Sequence, residues 1–198
     1  MIRDRNDFAG VILAGGQSSR MGFPKEALKF KGKKVMDIIL DIFRPLFGEI
    51  LIITDDKNRL TEFKHARVIE DLVKGCGPLG GIYTGLKAAS KDWAFFVACD
   101  MPFLHTALIN RLLNNSKKGE YSCIIPYTEK GIEPLHAVYS KAVLPELENI
   151  LDKGEFSIRQ LLRNCNCKYI KSNKNESSSF CNINTPEDLK KMEAKGVI

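Results

Sequence analysis

The sequence of 198 residues contains six cysteines but no C-x-x-C pair, the spacing common to zinc sites and thiol redox motifs. Scattered cysteines of this kind predict a reduced protein whose cysteines remain thiols. Cys165 and Cys167 are the closest pair, and on a strand their side chains would share one face. This spacing leaves a metal site or a disulfide open, although two ligands alone establish neither.

The sequence also has no apolar run long enough to cross a bilayer, and residues 1–7 lack the apolar segment of a secretory signal. These absences predict a cytoplasmic protein with no membrane partner. Lysine and arginine number 30 against 24 aspartates and glutamates, which gives a net charge of +6. The basic residues are dispersed and are not interleaved with aromatics, so we expect a solvated lysine-rich surface and no nucleic-acid partner.

The apolar run at residues 9–13 predicts a buried parallel strand, but neither of two familiar phosphate-binding motifs follows it. The dinucleotide fingerprint G-x-G-x-x-G is missing there, and the P-loop is excluded because Phe23 follows Gly22 where that motif has lysine. Residues 13–25 instead have the sequence LAGGQSSRMGFPK. Its glycines can turn backbone N–H groups toward one anion, and Arg20 and Lys25 add positive charge. The segment predicts a site for the triphosphate of a nucleotide, whereas a chance glycine turn would explain only the two adjacent glycines.

Strand patterns alternate with helical patterns along the chain, which predicts an α/β fold with a doubly wound, mostly parallel, Rossmann-like sheet. We expect a single domain over residues 1–198 with three layers, the sheet lying between two layers of helices. The predicted strands are 9–13, 49–54, 66–69, 93–98, 122–126, 135–139 and 167–170. The predicted helices are 34–47, 79–90, 102–115, 142–151, 157–164 and 186–194, and the polar run 172–179 predicts a mobile loop.

Two aspartates follow predicted strands at the edge where such sheets bind ligands. Asp100 closes the apolar run 93–98, and a carboxylate there can hold Mg²⁺ shared with phosphates. The alternative role for Asp100 is an N-cap of the next helix. Asp71 precedes the glycine-rich segment 75–81, and its carboxylate can accept hydrogen bonds from guanine or ribose. The alternative role for Asp71 is that of a solvated turn residue.

Five segments make the chain similar to the molybdenum cofactor guanylyltransferase family over about residues 9–192. They are LAGGQSSRMGFPK, VIED before GPLGGI, CDMP, EPLHAVY and FCNINTPEDL. Many nucleotidyltransferases share the first segment, whereas the combination with the others is more specific. The resemblance implies transfer of GMP from GTP to the phosphate of molybdopterin carrying molybdenum, with Mg²⁺ as cofactor and pyrophosphate as product. It also allows transient contact with proteins that deliver molybdopterin or receive the finished cofactor.

The resemblance also implies roles for individual positions. Residues that would bind the nucleotide are Leu13, Ala14, Gly15, Gly16, Lys25, Asp71, Gly77 and Asp100. The residues implied to be catalytic are Arg20 and Lys25, which would offset charge on the leaving pyrophosphate, and Asp100, which would hold Mg²⁺. The acceptor would lie against Pro134 and the segment up to Tyr139, and near Asn182 and Asn184. For the two asparagines, turn and capping chemistry is the alternative.

Three positions depart from the family pattern. Glu26 follows Lys25 where a small residue is usual, Lys34 replaces a proline, and the pair Thr54-Asp55 stands where some members have an asparagine that touches the nucleotide. None of these changes removes a charged catalytic group, so they bear on fine nucleotide contacts and leave the reaction class intact. One alternative is a related transferase that uses CTP and acts on a pterin, alditol or sugar phosphate. Another is a non-catalytic nucleotide-binding regulator, which the presence of both loop cations and Asp100 disfavours.

Overall fold

The computed structural model describes residues 5–15, 28–116 and 119–194. Within these ranges the strands are Phe8–Leu13 (β1), Lys29–Phe30 (β2), Lys33–Lys34 (β3), Glu49–Thr54 (β4), Arg67–Glu70 (β5), Trp93–Ala98 (β6), Cys123–Thr128 (β7), Gly131–Ile132 (β8), His136–Ser140 (β9) and Cys167–Lys171 (β10). The α-helices are Val35–Phe43 (α1), Gly77–Ala88 (α2), Thr106–Asn114 (α3), Leu144–Asp152 (α4), Ile158–Asn164 (α5) and Pro186–Ala194 (α6). None of the helices in the described ranges has the length and apolar character that membrane crossing requires.

Eight of the described strands form one sheet in the order β10-β7-β9-β6-β1-β4-β5, with β8 paired to β7. Strand β1 runs parallel to both β4 and β6, β4 runs parallel to β5, and β10 runs parallel to β7. Strand β9 is antiparallel to its neighbours β6 and β7. The prediction of a mostly parallel, doubly wound sheet is therefore confirmed. The strand order reverses between β1 and β6, which is where ligands bind in sheets of this type.

Two apolar layers cover the sheet, one on each face. On one face α1, α3 and α6 contribute to a core that includes Phe8, Ile12 and Phe95. On the other face α2, α4 and α5 contribute to a core that includes Val11 and Phe96. Neighbouring residues of one strand thus face opposite layers, as the pleat requires. The predicted three-layer arrangement is confirmed.

Helix boundaries differ from the predicted ones where proline and burial compete with the helical pattern. Helix α2 begins at Gly77, two residues earlier than predicted, with Pro78 in its first turn, where a missing N–H costs nothing. Helix α3 begins at Thr106, four residues later than predicted. The residues before it are not helical, and Phe103 and Leu104 are buried there in the first core layer. Burial of these two side chains outweighs the helical pattern of the sequence, so the segment is not helical.

The polar run 172–179 was expected to form a mobile loop, and this prediction is wrong. Residues Lys174–Phe180 form a 3-10 helix closed by a capping box between Asn173 and Glu176. The Glu176 side chain is buried and accepts a hydrogen bond of 2.7 Å from Arg111 Nη2. Ser179 is also buried, and its hydroxyl oxygen accepts a hydrogen bond from the backbone N–H of His105. Polar residues can order a segment when their buried side chains have hydrogen-bond partners in the folded protein. The composition of the segment does not reveal those partners.

The small antiparallel pair β2–β3 was not predicted. Its turn consists of Lys31 and Gly32, both with positive φ (48° and 81°). Two central residues with positive φ define the tight turn whose twist matches that of paired strands. Glycine is the usual signal for this turn, but lysine at the first central position is not, which explains why the pair was missed.

Candidate active site

A cavity of about 640 Å³ opens at the carboxyl ends of β1, β4 and β6, beside the point where the strand order reverses. The strand ends are held together by backbone hydrogen bonds. The N–H of Ala14 donates to the carbonyl of Ile53 at 2.7 Å, and the N–H of Cys99 donates to that of Leu13 at 3.0 Å. The cavity lies where a doubly wound sheet binds its ligand, at the edge the sequence indicated.

The structure brings together most of the described residues that were predicted to form the site. Those that line the cavity are Leu13, Gly15, Asp71, Gly77, Asp100, Asn182 and Asn184. Ala14 is buried between two lining residues and contributes its backbone to the strand end. The predicted residues Gly16, Arg20 and Lys25 lie outside the described residues.

Asp71 has one carboxylate oxygen engaged within its own loop. Oδ1 accepts hydrogen bonds from the Thr84 hydroxyl at 2.6 Å and from the N–H of Val73 at 3.2 Å. The Thr84 hydroxyl also accepts from the N–H of Leu72, so it connects α2 to the loop after β5. Oδ2 lies on the side of Gly80, where an added Cβ would be 3.3 Å from it. Asp71 therefore combines turn chemistry with a place on the cavity wall.

Glycine at position 80 permits helix α2 to lie directly against this loop. A Cβ there would lie 2.7 Å from the carbonyl oxygen of Val73, closer than real contacts allow. The first residues of α2, Gly77 and Pro78, line the cavity as a consequence. The N-terminus of a helix carries partial positive charge and unsatisfied N–H groups, so this wall favours an anionic ligand.

Asp100 lies just past the carboxyl end of β6, and its side chain is almost fully buried (2% exposed) while lining the cavity. Its proposed alternative, an N-cap of the next helix, does not apply because α3 begins at Thr106 with His105 as N-cap. The Asp100 carbonyl accepts a hydrogen bond of 2.9 Å from the N–H of Ile183. This bond brings the segment that carries both asparagines to the end of β6.

The asparagine segment supplies oxygen atoms next to Asp100. Asn182 Oδ1 is buried, and no donor from the described residues lies within hydrogen-bond distance of it. The start of α6 is capped by Thr185 and Asp188. Thr185 Oγ1 accepts a hydrogen bond from the N–H of Asp188, and Asp188 Oδ2 accepts one from the N–H of Asn184. A buried carboxylate and a buried amide oxygen are donors that suit a hard divalent cation.

The predicted acceptor segment meets the cavity at one end only. Leu135 lines the cavity, whereas the carbonyl of Pro134 accepts the hydroxyl of Tyr139 at 2.8 Å and Pro134 is not part of the lining. Residues from His136 to Tyr139 are fully buried within β9. Only the start of this segment is therefore in a position to meet a ligand.

Comparison with known proteins agrees with this geometry. The profile of the MobA-like NTP transferase domain matches residues 10–171. A Bacillus cereus protein named "Probable molybdenum cofactor guanylyltransferase" is 34% identical over 187 residues, covering 91% of this chain and 93% of that protein. A protein of the same name from Natranaerobius thermophilus is 36% identical over 197 residues, covering 93% and 94%. The chain belongs to the molybdenum cofactor guanylyltransferase family.

A solved structure extends the likeness within this family. Molybdopterin-guanine dinucleotide biosynthesis protein A from Archaeoglobus fulgidus superposes with a TM-score of 0.83 at 29% identity, covering 94% of this chain and 97% of that one. As a member of the molybdenum cofactor guanylyltransferase family, the chain is a nucleotidyltransferase. The fold and the enzyme class that the sequence motifs implied are both confirmed.

The cavity of this guanylyltransferase-family chain also has lining residues that the sequence did not single out as ligands. Asp55 follows β4, and a Cβ added at Gly15 would lie 3.1 Å from its Oδ1. Lys74 forms an ion pair with Glu70, which raises the pKa of the lysine. Residues 75–80 have the spacing G-x-G-x-x-G and span the end of the loop after β5 and the first turn of α2. This pattern is the signal that could have identified Gly75 as a lining residue.

Proposed function

We propose that this protein transfers GMP from GTP to the terminal phosphate of molybdopterin carrying molybdenum, forming the guanine dinucleotide cofactor and releasing pyrophosphate. The observation that carries the proposal is one cavity that unites Asp71, Asp100, Asn182 and Asn184 at the strand ends of a guanylyltransferase-family fold. These residues come from segments far apart in the chain, and only the fold brings them to one place.

The reaction needs charge neutralisation and alignment more than it needs a general base. A phosphate monoester is already ionised at neutral pH and acts as the nucleophile without losing a proton to the protein. It must approach the α-phosphorus of GTP, so two polyanions have to come together in line with the leaving pyrophosphate. The α2 N-terminus on the cavity wall offsets part of this negative charge.

The nucleotide would lie between the end of β1 and the start of α2. Leu13, Gly15 and Gly77 present backbone that a flat base and a phosphate can approach closely. Asp71 Oδ2 would accept hydrogen bonds from the nucleoside, since Oδ1 is already engaged by Thr84 and Val73. We assign Arg20 and Lys25 to the triphosphate on the family resemblance and on their charge, and Gly16 on the resemblance and on the backbone N–H groups that a glycine loop can turn toward an anion.

Mg²⁺ is the proposed cofactor, held by Asp100, with the Asn182 side-chain oxygen as a second protein donor. Both residues line the cavity, and Asn182 Oδ1 is a buried acceptor in need of a partner among the described residues. When bound, Mg²⁺ would supply positive charge to the phosphate oxygens. One or two protein oxygens completed by phosphates and water suffice for this ion.

The acceptor would enter on the side of Leu135, Pro134 and Asn184. Only Leu135 and Asn184 of these three line the cavity, so they are the preferred contacts. A cytoplasmic location, a single domain over residues 1–198 and transient contact with molybdopterin-delivering or molybdoenzyme proteins remain predictions.

A calorimetric titration with GTP, CTP, UTP and ATP, each with Mg²⁺, tests the proposal. Selective binding of GTP, together with Mg²⁺-dependent pyrophosphate release when molybdenum-loaded molybdopterin is added, is the expected result. Selective binding of CTP would favour the cytidylyl alternative. Binding without pyrophosphate release would favour a non-catalytic regulator, and no binding of any nucleotide would overturn the assignment.

A further inference from the structure

Three cysteines, Cys123, Cys165 and Cys167, converge away from the cavity, and we name them the thiol cluster. Cys123 is the first residue of β7, Cys167 is the first residue of β10, and Cys165 follows the last residue of α5. All three contact the core layer under α4 and α5. Every cysteine of the chain is a thiol in this structure, and no group of three or more His, Cys, Asp or Glu side chains in the described ranges has metal-binding geometry.

Cys123 and Cys167 are direct neighbours across two parallel strands. Their Cα atoms are paired in the register of β7 with β10. Neighbouring strands lie about 4.8 Å apart, and paired residues direct their side chains to the same face. Disulfides span Cα separations of roughly 4.4 to 6.8 Å, so the spacing of paired residues on neighbouring strands falls within the range that a disulfide bridges.

The two thiols differ in their access to solvent. Cys123 is fully buried, whereas Cys167 is half-buried and its Sγ donates to the carbonyl of Leu162 at 3.3 Å. A small oxidant in solution would therefore meet Cys167 before Cys123. The hydrogen bond from Cys123 lowers the pKa of Cys167, and the neighbouring thiols raise the pKa of Cys123 well above its usual value. Cys167 therefore loses its proton more readily than Cys123, and the thiolate is the form that reacts with an oxidant.

We infer that Cys123 and Cys167 are a modification site at which a peroxide forms a reversible disulfide. The Cys167 thiolate attacks one oxygen of hydrogen peroxide, the O–O bond breaks, and sulfenic acid and hydroxide result. The Cys123 sulfur then attacks the Cys167 sulfur, the S–O bond breaks, and hydroxyl leaves with the Cys123 proton as water. Hydrogen peroxide is the two-electron oxidant, and the two sulfurs are oxidised together.

The modification site is independent of the proposed catalytic activity. Both cysteines are at the amino ends of their strands, whereas the cavity lies at the carboxyl ends of the parallel strands. The disulfide would join the edge strand β10 to β7 and would leave the residues of the cavity in place. We therefore expect nucleotide binding to be the same before and after oxidation.

Mass spectrometric mapping of the intact, folded protein tests the inference. The reduced protein is treated with about one equivalent of hydrogen peroxide, unfolded in denaturant that contains excess alkylating reagent so that buried thiols are blocked as they become exposed, and digested without reductant. The expected product is the peptide of Cys123 joined to that of Cys167, lighter by two hydrogen atoms than the separate peptides. Dithiothreitol should return both cysteines to alkylatable thiols.

Single variants separate this pair from the other cysteines. Cys167→Ser should abolish the crosslink to Cys123, whereas Cys165→Ser should retain it. Cys181→Ser removes a partly exposed cysteine outside the thiol cluster and should also retain it. A predominant Cys123–Cys165 link, links between chains, or sulfinic acid at Cys167 with Cys123 still reduced would each overturn the inference.

Discussion

The backbone N–H of Ile183 donates to the backbone carbonyl of Asp100 at 2.9 Å, and the Ile183 side chain is fully buried. This bond fixes the segment before α6 against the end of β6. The residues on either side of Ile183, Asn182 and Asn184, line the same cavity as Asp100 as a result. The site therefore depends on a late segment of the chain as much as on the strand ends.

Asp100→Asn is expected to lower turnover by about a hundredfold or more, the scale on which a lost electrostatic group acts. The substitution preserves size and removes the charge that would hold Mg²⁺. Steady-state pyrophosphate release at increasing Mg²⁺ concentration measures the effect. Asp92→Asn is the matched control, because Asp92 is exposed and precedes β6 at its opposite end. Similar rates for the two variants would refute the role assigned to Asp100.

Thr84→Val is expected to weaken GTP binding and to lower stability by about 1–2 kcal/mol. Valine keeps the shape of the fully buried threonine but leaves Asp71 Oδ1 and the N–H of Leu72 without this partner. Calorimetry and urea unfolding measure the two effects. Thr84→Ser retains the hydroxyl and should bind GTP like the unchanged protein. Equal affinity in both variants would show that Thr84 does not position Asp71.

The central strands could be predicted because burial on both faces leaves continuous apolar runs in the sequence. Strands β4 and β6 have the predicted bounds, and Asp71 and Asp100 were found as carboxylates that follow such runs. The structured segment 174–180 could not be predicted, because its order depends on Arg111, which is distant in the chain. The sequence also did not distinguish Leu135 from Pro134, because tertiary packing determines which of these two neighbouring residues lines the cavity.

Glu176→Gln is expected to lower the free energy of unfolding by about 1–2 kcal/mol and to raise the KM for the acceptor. Glutamine can still accept from the N–H of Asn173, so the variant removes mainly the charge that pairs with Arg111. The Arg111 side chain is partly exposed, and solvent screening limits the loss. Urea unfolding and acceptor saturation curves measure the two effects.

The exposed ion pair of Lys87 with Glu148 provides the control for Glu176→Gln. Glu148→Gln should change stability by less than about 0.5 kcal/mol and leave the acceptor KM unchanged. A loss of stability in Glu176→Gln with an unaltered KM would mean that the segment 174–180 does not position the asparagines beside the acceptor.

Stability should decrease as the pH falls below about 6.5, because His136 cannot be protonated without cost in the folded state. Its ring is fully buried between those of Phe95 and Phe180, and neither nitrogen has a hydrogen-bond partner among the described residues. Burial, and to a smaller extent His105, lowers the pKa of His136 to about 3. The unfolded chain binds this proton near pH 6.5, so between these two values unfolding takes up a proton and acid favours the unfolded state.

The loss due to His136 should approach about 4 kcal/mol near pH 3, as a shift of this size implies, and should be absent above pH 7. Urea unfolding at a series of pH values measures it. His136→Phe should flatten the slope between pH 6.5 and 4, since phenylalanine suits the aromatic surroundings and has no proton to bind. His65→Gln, at an exposed site, should leave the slope unchanged. If His136→Phe keeps the full slope, the acid sensitivity arises from other groups, and the His136 ring does not resist protonation in the folded protein.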